Sequence, residues 1–395
     1  MTNEYLIIGA TGAIGYAFAK ALQAAGKQAT LLVRDTAKAR PLFGDTTNLN
    51  LVQGDARDAD LLKSLAEGCR FVFHGVSVPY HQWNAVMPVI TQNIIEAAEH
   101  ANATIIFPGN NYNFGKTDQL ISEVTPFDPC APTGRVRVTL ERMLQHATDH
   151  GRIRTLVVRM AELWGPNVTN KQFAPVFENA LKGWVMPWLI SADTPQQLLY
   201  APDAARAILM LTERTGTQPY EVFNLGGTMV PSIRGWMQSI AQTTGEGSKV
   251  SVTPLIVVRA LGVLIPLMRE VSALSYKFNT TVALSDAKFS SAFPNFRQTD
   301  MQTAIAETLK WFAANGSAAP QQIAAKKARR RETLFRFVVD NIAITVFPAA
   351  LALAASQIPF LQSFLPYLAV AAGIYWTPGL HKLTQGWRNK FTQIA

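Results

Sequence analysis

The chain has 395 residues, 48% of them hydrophobic, enough to bury a large core and to hold two domains. Its net charge of +9 is unevenly placed: from Lys326 onward nine Lys and Arg face only Glu332 and Asp340, whereas residues 1–325 carry 27 basic and 25 acidic groups. The main body therefore has no electrostatic footprint for nucleic acid, and two cysteines, Cys69 and Cys130, without metal-like spacing or a nearby His, argue against a disulfide framework or a metal site.

The N-terminus shows no basic segment ahead of an apolar stretch, so no secretory signal is expected and a reducing compartment is the natural setting. Residues 5–8 read as a buried strand. The chain then breaks at Gly9 and resumes with helical spacing from Ile14 through Phe18, Ala21, Leu22 and Ala25. Gly9, Gly12 and Gly15 at this junction have a mechanical reading: a tight turn, close approach of a pyrophosphate, and close packing of helix on strand. The backbone amides of Gly9, Thr11, Gly12, Ala13, Ile14 and Gly15, at a helix N-terminus with partial positive charge, are expected to hold the diphosphate of a dinucleotide.

The Gly-x-x-Gly-x-x-Gly spacing resembles the short-chain dehydrogenase/reductase superfamily, in the form found in its extended branch of sugar epimerases, dehydratases and hydroxysteroid dehydrogenases. Residues 29–33 read as a second strand ending in Arg34. An Arg there suits the 2′-phosphate of NADP, which is the predicted preference, while the adjoining Asp35 keeps NAD open. A third strand at 49–52 precedes Gly54-Asp55-Ala56-Arg57-Asp58, which resembles the family's Gly-Asp-x-x-Asp element. The resemblance assigns Asp55 and Ala56 to the adenine, and Asp58 reads as the N-cap of the next helix. Residues 71–77 form a fourth strand segment in which His74 reads as a packed core residue, with Gly75, Val76 and Ser77 facing the cofactor. A helix over 86–100 follows, and its Asn93 is expected to satisfy neighbouring backbone groups. Residues 104–107 read as a fifth strand.

Extended members of the superfamily carry a Ser after the fifth strand and a Tyr-x-x-x-Lys pair on the next helix. There a Tyr of lowered pKa exchanges the substrate hydroxyl proton while hydride moves to or from the nicotinamide. In this chain Asn110 stands in the Ser position, Thr133 in the Tyr position and Arg137 in the Lys position. Arg137 can hold the nicotinamide ribose but not shuttle a proton, Thr133 is too weak an acid, and Asn110 cannot ionise. Tyr112, on the same loop as Asn110, is the first substitute for proton transfer, and Tyr80 the second. The pattern resembles the atypical branch of the superfamily, which keeps the dinucleotide site and loses the pair.

Further on, 155–159 returns to the sheet, and Leu163-Trp164-Gly165-Pro166-Asn167 resembles the family's Tyr-Gly-Pro element at the pocket mouth. Glu162 falls where Asn is common. Trp184, Met186 and Trp188 read either as an apolar pocket wall or as core, Asp203 as the N-cap of a helix, 255–268 as one apolar helix too short to cross a bilayer, and 300–311 as a closing helix. The expected fold class is α/β: a Rossmann-like doubly wound parallel sheet over 1–316 with a smaller substrate lobe drawn from 160–200 and 225–316, then a basic linker at 317–333. Residues 334–355 and 358–376 are apolar stretches of about bilayer length, basic at their outer ends, and predict a membrane-spanning hydrophobic helical hairpin at 334–395 with both ends, and the main domain, on the cytoplasmic side. A monotopic hairpin and a homodimerisation pair are the alternatives.

These features predict a membrane-tethered NAD(P)-dependent oxidoreductase acting on a small, hydrophobic or lipid-like alcohol or ketone. The alternatives are a non-catalytic NADP-sensing protein and a nucleotide-sugar epimerase or dehydratase.

Overall fold

In a computed structural model the described residues are 4–44, 46–117, 119–214, 218–263 and 265–316, and all of them belong to one unit. The expected alternation of apolar runs and amphipathic stretches sets the first half. Strands β1 (Tyr5–Ile8), β2 (Ala29–Val33) and β3 (Leu49–Gln53) alternate with helices α1 (Ala13–Ala24), α2 (Thr36–Phe43) and α3 (Ala59–Ala66). Strands β4 (Phe71–His74), β5 (Thr104–Asn110) and β6 (Arg154–Met160) are separated by α4 (Trp83–Ala101) and α5 (Pro132–Asp149). β1, β2 and β4 are buried along their whole length, as parallel strands covered on both faces must be.

The second half is more irregular. β7 (Glu162–Trp164), α6 (Ala174–Ala180), β8 (Met186–Leu189) and β9 (Gln196–Tyr200) lead into α7 (Ala201–Thr212) and β10 (Tyr220–Leu225). Then come β11 (Thr228–Val230), α8 (Ile233–Thr244), β12 (Val250–Thr253), α9 (Leu255–Gly262) and α10 (Pro266–Ala273). Three more helices, α11 (Tyr276–Asn279), α12 (Ala287–Ala292) and α13 (Met301–Asn315), complete the described chain.

Seven strands form one sheet in the order β10-β6-β5-β4-β1-β2-β3, every pair parallel. Helices α1 and α7 pack together on one face, and α3, α4 and α5 line the other, giving a doubly wound Rossmann-like sheet. The strand order reverses between β1 and β4, so a crevice opens beyond their carboxyl ends, where the glycine turn and Gly75 lie. Two smaller sheets, β11-β9-β7 and β12-β8, stand beside the main one.

Several expectations need correction. β5 runs on to Asn110, three residues past the predicted end, because it pairs with β6 as far as Asn110 opposite Met160. Asp203 is not an N-cap: β9 passes straight into α7 with Pro202 in its first turn, and the buried Asp203 carboxylate accepts from Thr299 N at 2.8 Å, Thr299 Oγ1 at 2.7 Å and Arg206 Nη2 at 2.6 Å. The stretch 255–268 is not one helix, because Pro266 begins a new one. Trp184 is no pocket wall: it is exposed, with Lys182 Nζ 5.1 Å from its ring, while Met186 lies in the core. The linker and hairpin readings for 317–395 lie outside the described residues. Among the described residues no helix is long and apolar enough to cross a membrane.

Candidate functional site at the sheet switch point

The turn from β1 to α1 is as tight as glycine permits. Gly9 has φ +89°, and a Cβ on it would lie 2.4 Å from the Gly75 carbonyl oxygen at the end of β4. A Cβ on Gly15 would lie 2.3 Å from the Gly9 carbonyl, so the helix rests directly on the turn. Gly12 differs. It is exposed, its φ is −76°, and the protein atom nearest an added Cβ is 3.3 Å away. An added Cβ at Gly12 would still press on the Gly9 carbonyl oxygen, so the turn is tight here too, though less so than at Gly9 and Gly15. The α1 N-terminus has no capping side chain and no acidic residue in its first turn, leaving backbone N–H groups to an anion. Thr11 lies exposed on this turn, its carbonyl accepting from Asn167 Nδ2 at 3.1 Å, and Ala13 and Ile14 open the helix.

On the adenosine side, Arg34 is exposed directly after β2. Asp35 is already engaged: its side chain caps α2 by accepting from Lys38 N at 3.1 Å and pairs with Lys38 Nζ at 2.7 Å. Asp55 is bridged to Arg57 by two contacts of 3.0 and 2.6 Å, and that guanidinium holds its pKa down at about 2. Ala56 adjoins it, and the Ala56 and Arg57 carbonyls accept from Asn93 Nδ2 at 3.2 and 3.0 Å, the backbone-satisfying role expected of that residue. Gly75 borders Gly9, Val76 is half-buried, and Ser77 is exposed.

Asn110, Tyr112, Thr133 and Arg137 come together where β5 meets α5. The Asn110 Oδ1 accepts from Tyr112 N at 3.0 Å, so its oxygen is turned onto its own loop. A Cβ on Gly134 would fall 2.2 Å from the Tyr112 carbonyl, which keeps the start of α5 tight against that loop. The Thr133 hydroxyl is buried without a hydrogen-bond partner. Arg137 donates to Pro108 O at 3.4 Å and lies over Trp83 and Phe107, 4.9 and 5.6 Å from their ring centres. Its Nε is buried and unpartnered. The Arg137 Nε and the Thr133 hydroxyl, both buried and unpartnered, suit a polar ligand that would complete them. His74 is the core residue expected: it bonds Thr91 at 2.8 Å, and burial lowers its pKa to about 3.

Tyr112 does not have the electrostatics of a proton-transferring phenol. Burial, with Tyr80 beside it, raises its pKa well above the ordinary value. The Tyr80 and Tyr112 hydroxyls are 3.3 Å apart, joining the two tyrosines singled out in the sequence. What sequence reading missed is Lys277. Its Nζ lies 4.0 Å from the centre of the Tyr112 ring and bonds the Glu162 carboxylate. Burial lowers the Lys277 pKa to about 7. Tyr80, Tyr112, Glu162 and Lys277 line one pocket with Phe173, Trp188, Leu198, Ile233, Val271 and Leu274. The one signal for Lys277 in the sequence was indirect, namely a carboxylate at 162 in need of a partner. Among the described residues no cluster of His, Cys, Asp and Glu could hold a metal ion.

Comparison with known proteins agrees with this architecture. The model of the NAD dependent epimerase/dehydratase family matches residues 5–226. The chain is 25% identical over 224 residues to the uncharacterized protein y4nL of Sinorhizobium fredii, a stretch covering 52% of this chain but only 62% of that relative's length. Among solved structures it is similar to the UDP-glucuronic acid 4-epimerase of Bacillus cereus in complex with NAD, with a TM-score of 0.65 and 16% identity over 80% of this chain and 99% of that one. It is also similar to DesIV, the dTDP-glucose 4,6-dehydratase of Streptomyces venezuelae with NAD and TYD bound, with a TM-score of 0.64 and 17% identity over 81% of this chain and 99% of that one. At these identities the structural likeness is one of fold. The match of the family model runs from the first strand through β10, over more than half of the sequence, and the chain belongs to the NAD-dependent epimerase/dehydratase family.

Proposed function

We propose that the chain is an NAD(P)-dependent enzyme that oxidises or reduces a hydroxyl-bearing carbon held in the Tyr80–Tyr112–Lys277 pocket. The observation that carries this reading is the placement of Lys277, a buried amine 4.0 Å from the Tyr112 ring centre and bonded to Glu162, its pKa lowered by burial, in a chain whose positions 133 and 137 are Thr and Arg. The bound dinucleotide would supply or accept hydride. Gly9–Gly15, Asp55, Ala56 and Gly75–Ser77 would hold its two ends, with Arg137 on the nicotinamide ribose. Lys277 then takes the substrate proton in the oxidising direction and returns it in the reducing one, and Glu162 fixes the position of the amine. Tyr112 remains a neutral phenol that orients the substrate oxygen by hydrogen bonding. We extend the proposal to NADP preference, because Asp35 is committed to Lys38 and the end-of-strand position falls to the exposed Arg34.

Kinship favours a nucleotide-linked sugar as substrate, the class named in the two structural relatives. A second reading, a hydrophobic alcohol or ketone, is favoured by the pocket itself. Its lining is mostly apolar, and its one cation is already met by Glu162, which leaves a diphosphate poorly matched there. That reading includes the membrane tether proposed for 334–395, with the catalytic unit on the cytoplasmic side.

Purified protein supplied with NAD(H) or NADP(H) against UDP- and dTDP-sugars and against hydrophobic ketones decides between them. Turnover is expected with one class, and Arg34→Ala is expected to weaken NADPH, but not NADH, by about tenfold, the cost of one charge-assisted phosphate contact. Tight dinucleotide binding without turnover of either class would leave the non-catalytic sensing reading in its place.

A further inference from the structure

The α9–α10 hairpin breaks the usual relation between apolarity and burial. Residues 255–265 contain one charge, Arg259, yet only Val258 and Gly262 of α9 are buried. Ile256 and Val263 are each 73% exposed, and Val257, Leu261 and Ile265 are exposed beside them. A helix apolar on nearly every face is stable in water only when something covers it. From Leu255 to Ala273 the hairpin has two exposed arginines, Arg259 and Arg269, and one acid, Glu270, whose Oε2 is buried. The same hairpin walls the candidate pocket, because Val271 of α10 and the adjoining Leu274 line it.

We propose that α9 lies in the surface of a lipid bilayer, its apolar residues among the upper acyl chains and Arg259 and Arg269 at anionic headgroups. The occupant is lipid rather than protein for two reasons. The exposed charges of the hairpin, Arg259 and Arg269, are both positive, and the sequence beyond residue 316 carries two apolar stretches of bilayer length, the tether already proposed. The inference rests on that membrane-tethered reading and adds a second contact to it. With α9 in the interface, the pocket wall formed by α10 stands at the membrane surface, where a lipid-borne substrate would arrive.

The full-length chain tests this. In a Cys130→Ser background, which leaves the buried Cys69 as the one remaining native thiol, Ile256→Cys and, separately, Val263→Cys are labelled with an environment-sensitive fluorophore. Asp60→Cys on α3 serves as a control. The labelled chains are mixed with vesicles containing anionic lipid and brominated acyl chains, then floated. The expected result is that the chain floats and both α9 labels lose at least half of their fluorescence to the brominated lipid, while the control label does not. Failure to float overturns the tether and the docking together. Flotation with α9 labels still open to aqueous iodide overturns the docking alone, as does flotation with labels shielded from iodide yet unquenched by lipid, which would mean that protein covers the helix.

Discussion

In the proposed reaction Lys277 is the residue on which the chemistry turns, and its electrostatics give a direct test. In the oxidising direction the neutral amine is the active form, so turnover is expected to rise with pH through about 7 and to fall through the same value in the reducing direction. Lys277→Met removes the titrating group, and its pH profile should lose that limb along with most of the rate. Survival of the limb in the variant would assign it to another group. The sign for stability is also fixed. Between about pH 7 and the ordinary lysine value of 10.5, the unfolded chain binds a proton that the folded chain does not, so this residue favours the fold increasingly as pH rises through that window. Residues of this kind are hard to read from sequence. Lys277 and Glu162 are 115 positions apart, and neither belongs to a periodic pattern that would bring them together. Tyr80 and Tyr112 could be singled out because each lies just beyond a strand of the main sheet. Their juxtaposition at 3.3 Å could not.

At the scale of elements, the β1–α1 junction was the most legible part of the chain, since three glycines at fixed spacing after a strand permit one geometry. The structure adds that the three are not equivalent, and substitution should separate them. Gly15→Ala drives a Cβ to 2.3 Å from the Gly9 carbonyl and must displace backbone, so thermal unfolding should show it destabilised by about 1–3 kcal/mol, the range for overpacking. Gly12→Ala should cost less stability than Gly15→Ala, because its Cβ meets the Gly9 carbonyl oxygen at 3.3 Å, tight but without overlap, yet weaken dinucleotide binding by calorimetry. Equal effects of the two on stability would contradict this ranking of the two contacts. Where the sequence misled, the reason was a competing local rule. Asp203 has the residue type of a cap, but Pro202 already starts α7 ahead of it. The run 255–268 is apolar apart from Arg259, but Pro266 divides it.

For the molecule as a whole, the alternation of strands and helices and the parallel sheet followed from periodicity, while the partners that join distant segments did not. The chief example is a buried ion pair, Arg159 to Glu141 at 2.8 Å, connecting β6 to α5. Arg159 also donates to Glu123 O at 3.2 Å and lies over Phe114 and Phe127, and Asn113 Nδ2 donates to Glu141. One cluster thus fixes the sheet, the helix bearing Thr133 and Arg137, and the loop bearing Tyr112. Arg159→Met would leave Glu141 as an uncompensated buried carboxylate, and chemical denaturation should show a loss of about 3–5 kcal/mol. A loss under about 1 kcal/mol, the scale of an exposed pair, would show the cluster to be dispensable.

The glycine turn is wedged between Gly75 on one side and its own helix on the other, and Asn167 grips the Thr11 carbonyl from a distant loop. Its amides therefore stand in their final arrangement when the chain folds, and the conformational entropy of ordering them is spent in folding, not in association. A dinucleotide meeting this turn has little to freeze but itself, so preorganisation lets a few short contacts to its diphosphate yield most of their intrinsic affinity.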